Sequence, residues 1–170
     1  MGLVTIGLLG VSFAPLASDG GPGTVFAPIG FTSKGTLTFN EEEPTKKTVD
    51  VEESSVPLKT FKKAGAKSLT LSVADPDADA LALVRGGTVA ATSGKKTYSE
   101  DDAISLVGTL KVEPEEGFAS ITYNKVSIFG RLQGGLGSEQ ELLLVLDVDI
   151  EKPTKTGVKV WEAVENVPVI

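Results

Sequence analysis

The sequence predicts a mainly β domain, an antiparallel β-sandwich or barrel of two packed sheets with one short α-helix and a long charged loop. Three observations carry this expectation. Ser68-Leu69-Thr70-Leu71-Ser72-Val73 alternates with a period of two, sending Leu69, Leu71 and Val73 to one face and hydroxyls to the other. β-Branched and apolar residues dominate three longer stretches, Ile104 to Val112, Ala119 to Leu132 and Leu142 to Ile150. Many of the 19 glycines and 9 prolines sit between such runs, as turns require. A chain of 170 residues is one domain with room for a sizeable core.

Along the chain, Leu3 to Val11 reads as an apolar strand or arm that needs a partner to cover it. A membrane span needs roughly 20 consecutive apolar residues, and Gly2, Gly7, Gly10, Ser12 and Pro15 break this stretch. No Lys or Arg precedes Lys34, which argues against a secretory signal. Ile6 stands where a myristoylation pattern wants Ser or Thr. Ser18 to Gly23 is a Gly-rich break, and Thr36-Leu37-Thr38-Phe39 alternates as a strand. Asn40 to Thr60 differs from its surroundings. Glu41, Glu42, Glu43, Lys46, Lys47, Glu52 and Glu53 charge it, and Pro44 and Pro57 interrupt it. A segment of this kind inside a compact domain is either a projecting β-hairpin or a functional loop.

One helix is expected. Asp75 is placed as its cap, Pro76 at the first helical position, and Asp77 and Asp79 at the positive end of the dipole. Ala80 to Val84 continue it, Arg85 meets the negative end, and Gly86-Gly87 stop it. Leu81 and Val84, or Leu83, point to the core. Gly134-Gly135-Leu136-Gly137 separates the last two long strands and suggests the turn of a hairpin.

Composition narrows the chemistry. The chain has no His and no Cys, which excludes Cys/His zinc sites, disulfides, thiol nucleophiles and every mechanism with a His base. With 23 Asp and Glu against 16 Lys and Arg, the net charge is −7, unsuited to gripping a phosphate backbone. Asp75 to Asp79 has acids at alternate positions, but a calcium loop counted from Asp75 needs Gly where Ala80 stands and Glu where Gly86 stands. Gly130 to Gly137 lacks the phosphate-loop Lys and a following helix. Asp101, Asp102, Glu113, Glu115, Glu116, Asp147 and Asp149 offer carboxylates, yet their spacing selects no glycosidase pair. We therefore expect no enzyme, and no catalytic, cofactor or metal site. Asp147, Asp149 and Glu151 alternate with Leu146, Val148 and Ile150, giving one acidic, watered face and one apolar face. Trp161 reads as a core or interface anchor.

The strand Ser68 to Val73, running into Asp75-Pro76-Asp77-Ala78-Asp79-Ala80-Leu81 and Gly86-Gly87-Thr88, resembles the major tail tube proteins of tailed bacteriophages. So do the long strands Phe118 to Leu132 and Glu141 to Glu151 and the polar segment Glu41 to Leu58. This order covers most of the chain; Met1 to Phe31 matches least. The resemblance implies a structural virion protein of the tail, made in the host cytoplasm. Six copies would close into rings that stack as a tube conducting DNA during ejection. Its implied partners are further copies of itself, tape-measure and tail completion proteins, and DNA that passes without specific binding; membrane insertion and cofactors are not expected. Asp147 and Asp149 become candidates for the lumen. Glu41, Glu42, Glu43, Lys46, Lys47, Val49, Val51, Val56 and Leu58 become candidates for the subunit interface. Weighed beside this are a tube subunit of a bacterial injection system, a capsid decoration protein and a carbohydrate-binding β-sandwich.

Overall fold

The structure is a computed structural model and describes residues 4–166. Leu3, where the expected arm begins, lies outside them. Twelve strands and one helix follow in order: β1 (Gly10–Pro15), β2 (Ala27–Pro28), β3 (Thr38–Glu41), β4 (Thr45–Val51), β5 (Ser54–Lys63), β6 (Lys67–Val73), α1 (Ala78–Arg85), β7 (Thr88–Thr92), β8 (Lys95–Ser99), β9 (Leu106–Glu113), β10 (Phe118–Gly137), β11 (Gln140–Ile150) and β12 (Trp161–Glu165). The mainly β, antiparallel architecture with one helix is the one expected from the sequence.

Eight strands form a single sheet in the order β2-β1-β9-β10-β11-β6-β3, with β12 added beside β10. The sheet wraps until one face of its strands meets a common core: Val11 and Phe13 from β1, Leu69, Leu71 and Val73 from β6, Leu110 and Val112 from β9, Val126 and Ile128 from β10, and Leu144, Leu146 and Val148 from β11. Both layers of the sandwich thus lie on one hydrogen-bonded path. The segment after β2 draws the ends together. Ile29 N–H donates to Val11 O at 3.1 Å, Ser33 N–H to Ser72 O at 2.7 Å, and Ala74 N–H to Phe31 O at 2.8 Å. Gly30 makes the bend between them with φ of 119°, a backbone region L-residues rarely occupy, and a Cβ there would lie 2.9 Å from Val73 Cγ1. Residues 10–33, mostly within the stretch least legible in sequence, therefore supply β1, the edge strand β2 and the closing link.

β10 is 20 residues long because it serves three neighbours. Its first part pairs with β12 on one edge, its later part with β11 on that same side, and β9 runs along the other edge. The pairing with β9 shifts register between Tyr123 and Val126. Asn124, almost fully buried, sits at this shift. Its amide donates to Lys159 O at 2.9 Å, its N–H to Val160 O at 3.0 Å, and its carbonyl accepts from the buried Thr109 hydroxyl at 3.1 Å. Thr109 Oγ1 in turn accepts from Gly23 N–H at 2.8 Å. A buried polar pair at the bend is tolerated because its partners are supplied.

Two sequence expectations change, and a third, open between two alternatives, resolves. Asp77, not Asp75, caps α1: its carboxylate accepts from Ala80 N–H at 2.7 Å. Asp75 Oδ1 instead accepts from Phe31 N–H at 2.6 Å and ties the closing segment to the start of the helix. Pro76 therefore precedes the cap rather than opening the helix. The reason is tertiary, since both aspartates fit a cap locally and the Phe31 donor claims one of them. Of the expected core residues of α1, Val84 is fully buried, Leu81 and Leu83 pack partly against the core, and Ala80 is also buried. Second, Gly134 to Gly137 are not the hairpin turn. They lie in β10, which pairs on to Gly137↔Gln140 with an irregularity after Gly134, and the turn is Ser138-Glu139. Third, the charged segment resolves to a hairpin, β4–β5, extending to Lys63. Asp77→Ala should destabilise the protein by about 1 kcal/mol in denaturant titration.

Arg85 at the end of α1 fastens the helix to its surroundings. Its Nη1 donates to Gly130 O at 2.7 Å, its Nε to Glu100 at 3.0 Å, and its Nη2 closes a second bond to the same carboxylate. Tyr98 of β8 donates to Glu100 at 2.5 Å and to Gly86 O at 3.0 Å. The Arg85 guanidinium, then the Tyr98 hydroxyl, hold the Glu100 carboxyl below its ordinary value. Its folded pKa is depressed, so its stabilisation is complete above the ordinary glutamate pKa of 4.5 and lost as pH falls through the folded value. Glu100→Gln should therefore flatten the acid side of the stability profile, measured as denaturation midpoint between pH 6 and pH 3. An unchanged acid slope would show the cluster to be inert.

Candidate functional site

Three exposed surfaces gather the candidate residues and their neighbours. Among the described residues no group of three or more acidic side chains could hold a metal ion. No described helix is long and apolar enough to cross a membrane.

The first surface is the outer face of β6, β11 and β10. On β11, Leu144, Leu146 and Val148 are buried while Asp147 is half-buried and Asp149 exposed. Pairing places Asp149 between Ser68 and Ser127, Asp147 between Thr70 and Phe129, and Val145 between Ser72 and Arg131. The two lumen candidates therefore share one face, as alternation predicts, within a field of hydroxyls. Arg131 Nε lies 3.2 Å from Asp147 Oδ2, which offsets one of the two charges; Asp149 forms no ion pair among the described residues. This face mixes hydroxyls with the exposed Phe129 ring and is only modestly acidic.

The second surface is the β4–β5 hairpin, which carries most of the interface candidates. Its two strands pair only with each other, and every residue of β5 is exposed. Thr45↔Lys63, Lys46↔Lys62, Lys47↔Phe61, Thr48↔Thr60 and Val49↔Lys59 lie opposite. Alternation then puts Val56, Leu58, Thr60 and Lys62 on one side with Lys46, and Phe61 and Lys59 on the other with Lys47 and Val49. Val51 pairs with Ser54 beyond a register shift, next to the acidic tip. Glu41, at the end of β3, is drawn back to Lys67 at 3.2 Å. Glu42 N–H donates to Ala66 O at 2.9 Å, closing the base of the hairpin, and Glu43 follows it in the exposed link. An isolated two-stranded hairpin is marginally stable in water, yet this one exposes Val56 by 69% and Leu58 by 72%.

No family model and no curated protein matches the chain.

The third surface was missed in the sequence. Between the arm at residues 5–10, the closing segment and β3 lies a groove of about 730 Å³, with Ile6, Leu9, Phe31, Leu37 and Phe39 along it. Phe31 is 79% exposed there. A smaller cavity of about 550 Å³ adjoins it, sharing Thr5, Phe39 and Ile121 and reaching Tyr123 and Trp161. Trp161 is half-exposed in β12, 6.4 Å from the Tyr123 ring and 5.8 Å from Lys67 Nζ, so it is an anchor at the rim of the core. Leu37 and Phe39 come from one alternating stretch, Ile6 and Leu9 from the apolar arm, and Phe31 stands alone between Gly30 and Thr32. No periodicity joins the three segments, and chain closure brings them together.

Proposed function

We propose that the chain is a structural subunit of a phage tail tube, forming stacked hexameric rings that conduct DNA during ejection. The observation that supports it best is the β4–β5 hairpin, a folded element with no packing on its own domain and exposed apolar residues that a neighbouring copy would cover. Two further features fit. β10 and β11 form a hairpin long enough to cross a tube wall at about 3.3 Å per residue, with core on one side. Its other side offers Asp147, Asp149 and hydroxyls, a surface to which DNA would not adhere. Assembly across subunits would also pair edges such as β3, whose four residues are all exposed. The acidic charge of the chain, repeated six times per ring, adds to the repulsion.

A second reading, a carbohydrate-binding β-sandwich, draws on the exposed rings of Phe31, Phe39 and Trp161. Negative-stain microscopy at high protein concentration separates the two, with rings and tubes expected for the first. Monomers at every concentration, with binding on a glycan array, would replace the first reading by the second. An injection-system tube subunit would form the same rings, and a capsid decoration protein would instead decorate shells.

A further inference from the structure

We propose that the β4–β5 hairpin of one copy seats its Val56 and Leu58 side in the groove between the N-terminal arm and β3 of a second copy, with Lys46 and Lys62 against Glu115 and Glu116. The proposal rests on the tube-subunit reading and names the two surfaces that meet.

Charge singles out the pair. In a chain of net charge −7, the hairpin concentrates Lys46, Lys47, Lys59, Lys62 and Lys63 in its basal half. None of the five forms an ion pair among the described residues. Lys46 and Lys62 stand directly opposite on one side, an arrangement that destabilises a strand pair unless something negative lies against it. The groove offers carboxylates at one end, with a single cation, Lys34, elsewhere along it. Glu115 is on its rim, its side chain lying over Gly7, and Glu116 follows, held in place by backbone bonds to Ile6 at 3.2 and 3.1 Å. Both carboxylates are exposed and form no ion pair among the described residues, whereas neighbouring Glu113 is engaged by Lys111 at 2.6 Å.

Apolar chemistry matches as well. Val56 and Leu58 lie towards the tip from the lysine pair, beyond the Thr48–Thr60 pair, and Ile6, Leu9 and Phe31 are exposed along the groove that Glu115 rims. The exposure of Val56 and Leu58 means that the hairpin does not occupy its own groove. Each copy therefore carries both halves of a head-to-tail contact, the kind that closes a ring or propagates along an axis. Apolar residues interleaved with the lysines favour a protein partner over a phosphate backbone.

Two charge-reversed chains test this: Lys46→Glu with Lys62→Glu, and Glu115→Lys with Glu116→Lys. All four residues are exposed, and circular dichroism with a denaturation midpoint verifies that each chain folds. By sedimentation velocity, each alone should need a roughly tenfold or higher concentration to assemble. Mixed in equal amounts they should assemble as the unaltered chain does, because each hairpin then meets a groove of opposite sign. Loss without recovery on mixing, or no loss in either chain, overturns the proposal. So does binding of a labelled DNA duplex that the first variant abolishes while assembly is unchanged. Microscopy of the mixture keeps the two readings apart. Recovery as closed oligomers without tubes would retain the contact and remove the tube, while tubes that ignore the substitutions would do the reverse.

Discussion

Leu146→Ala should lower the free energy of unfolding by about 3–5 kcal/mol, among the largest effects of any single truncation in the domain. Leu146 is fully buried and central in β11, opposite Leu71 of β6 on one side and Gly130 of β10 on the other. Gly130 matters to the argument: a Cβ on it would come within 3.3 Å of Leu146 Cδ2, so the leucine already fills the space that a larger neighbour would take. Hydrogen-bonded strands on both sides prevent the backbone from closing on the cavity, which places the cost in the upper part of the usual range. Asp147→Asn, one residue on, should change stability by no more than about 0.5 kcal/mol, since its pair with Arg131 is exposed. Urea unfolding of the two variants checks both faces of the strand at once. A cost below about 1 kcal/mol for Leu146→Ala would mean that this strand does not lie in the core.

Excising residues 45–63 and joining the stumps by an Asn-Gly turn should leave the domain folded and abolish assembly. The hairpin pairs with no other strand, and none of its residues is buried. Where it leaves the sheet, the chain already returns on itself: Glu42 and Ala66 share a backbone hydrogen bond, and a Cβ on Gly65 would fall 2.1 Å from Glu42 O. A two-residue turn can close such a gap. The denaturation midpoint should move little, because no core contact is removed. Assembly, followed by sedimentation and by negative-stain microscopy, should disappear at concentrations where the full chain forms rings. Tubes of normal appearance from the excised chain would remove the hairpin from the interface and leave the β3 edge and the apolar groove as candidate contact surfaces.

Much of this architecture was legible in the order of residues. Alternation placed Leu69, Leu71 and Val73 inward and Asp147 and Asp149 outward, because the pleat sends neighbours to opposite faces whatever the sheet around them. The position of the helix followed from its aspartates and the Gly86-Gly87 stop, because caps and breakers act within one turn. The charged, proline-broken segment stood apart in the sequence as a hairpin or a loop, because it carried little of the apolar pattern of a core, and strand pairing decided for the hairpin. The tertiary structure decided what depends on distant partners. Asp77 caps the helix because Phe31, 44 positions before Asp75, takes the other carboxylate. β10 runs through its glycines because β11 continues to pair with it up to the Ser138-Glu139 turn. Asn124 and Thr109 are buried because each meets a donor or acceptor from a remote loop. The apolar groove exists only where the arm, the closing segment and β3 converge, and no local rule of spacing encodes a meeting of segments separated by tens of residues.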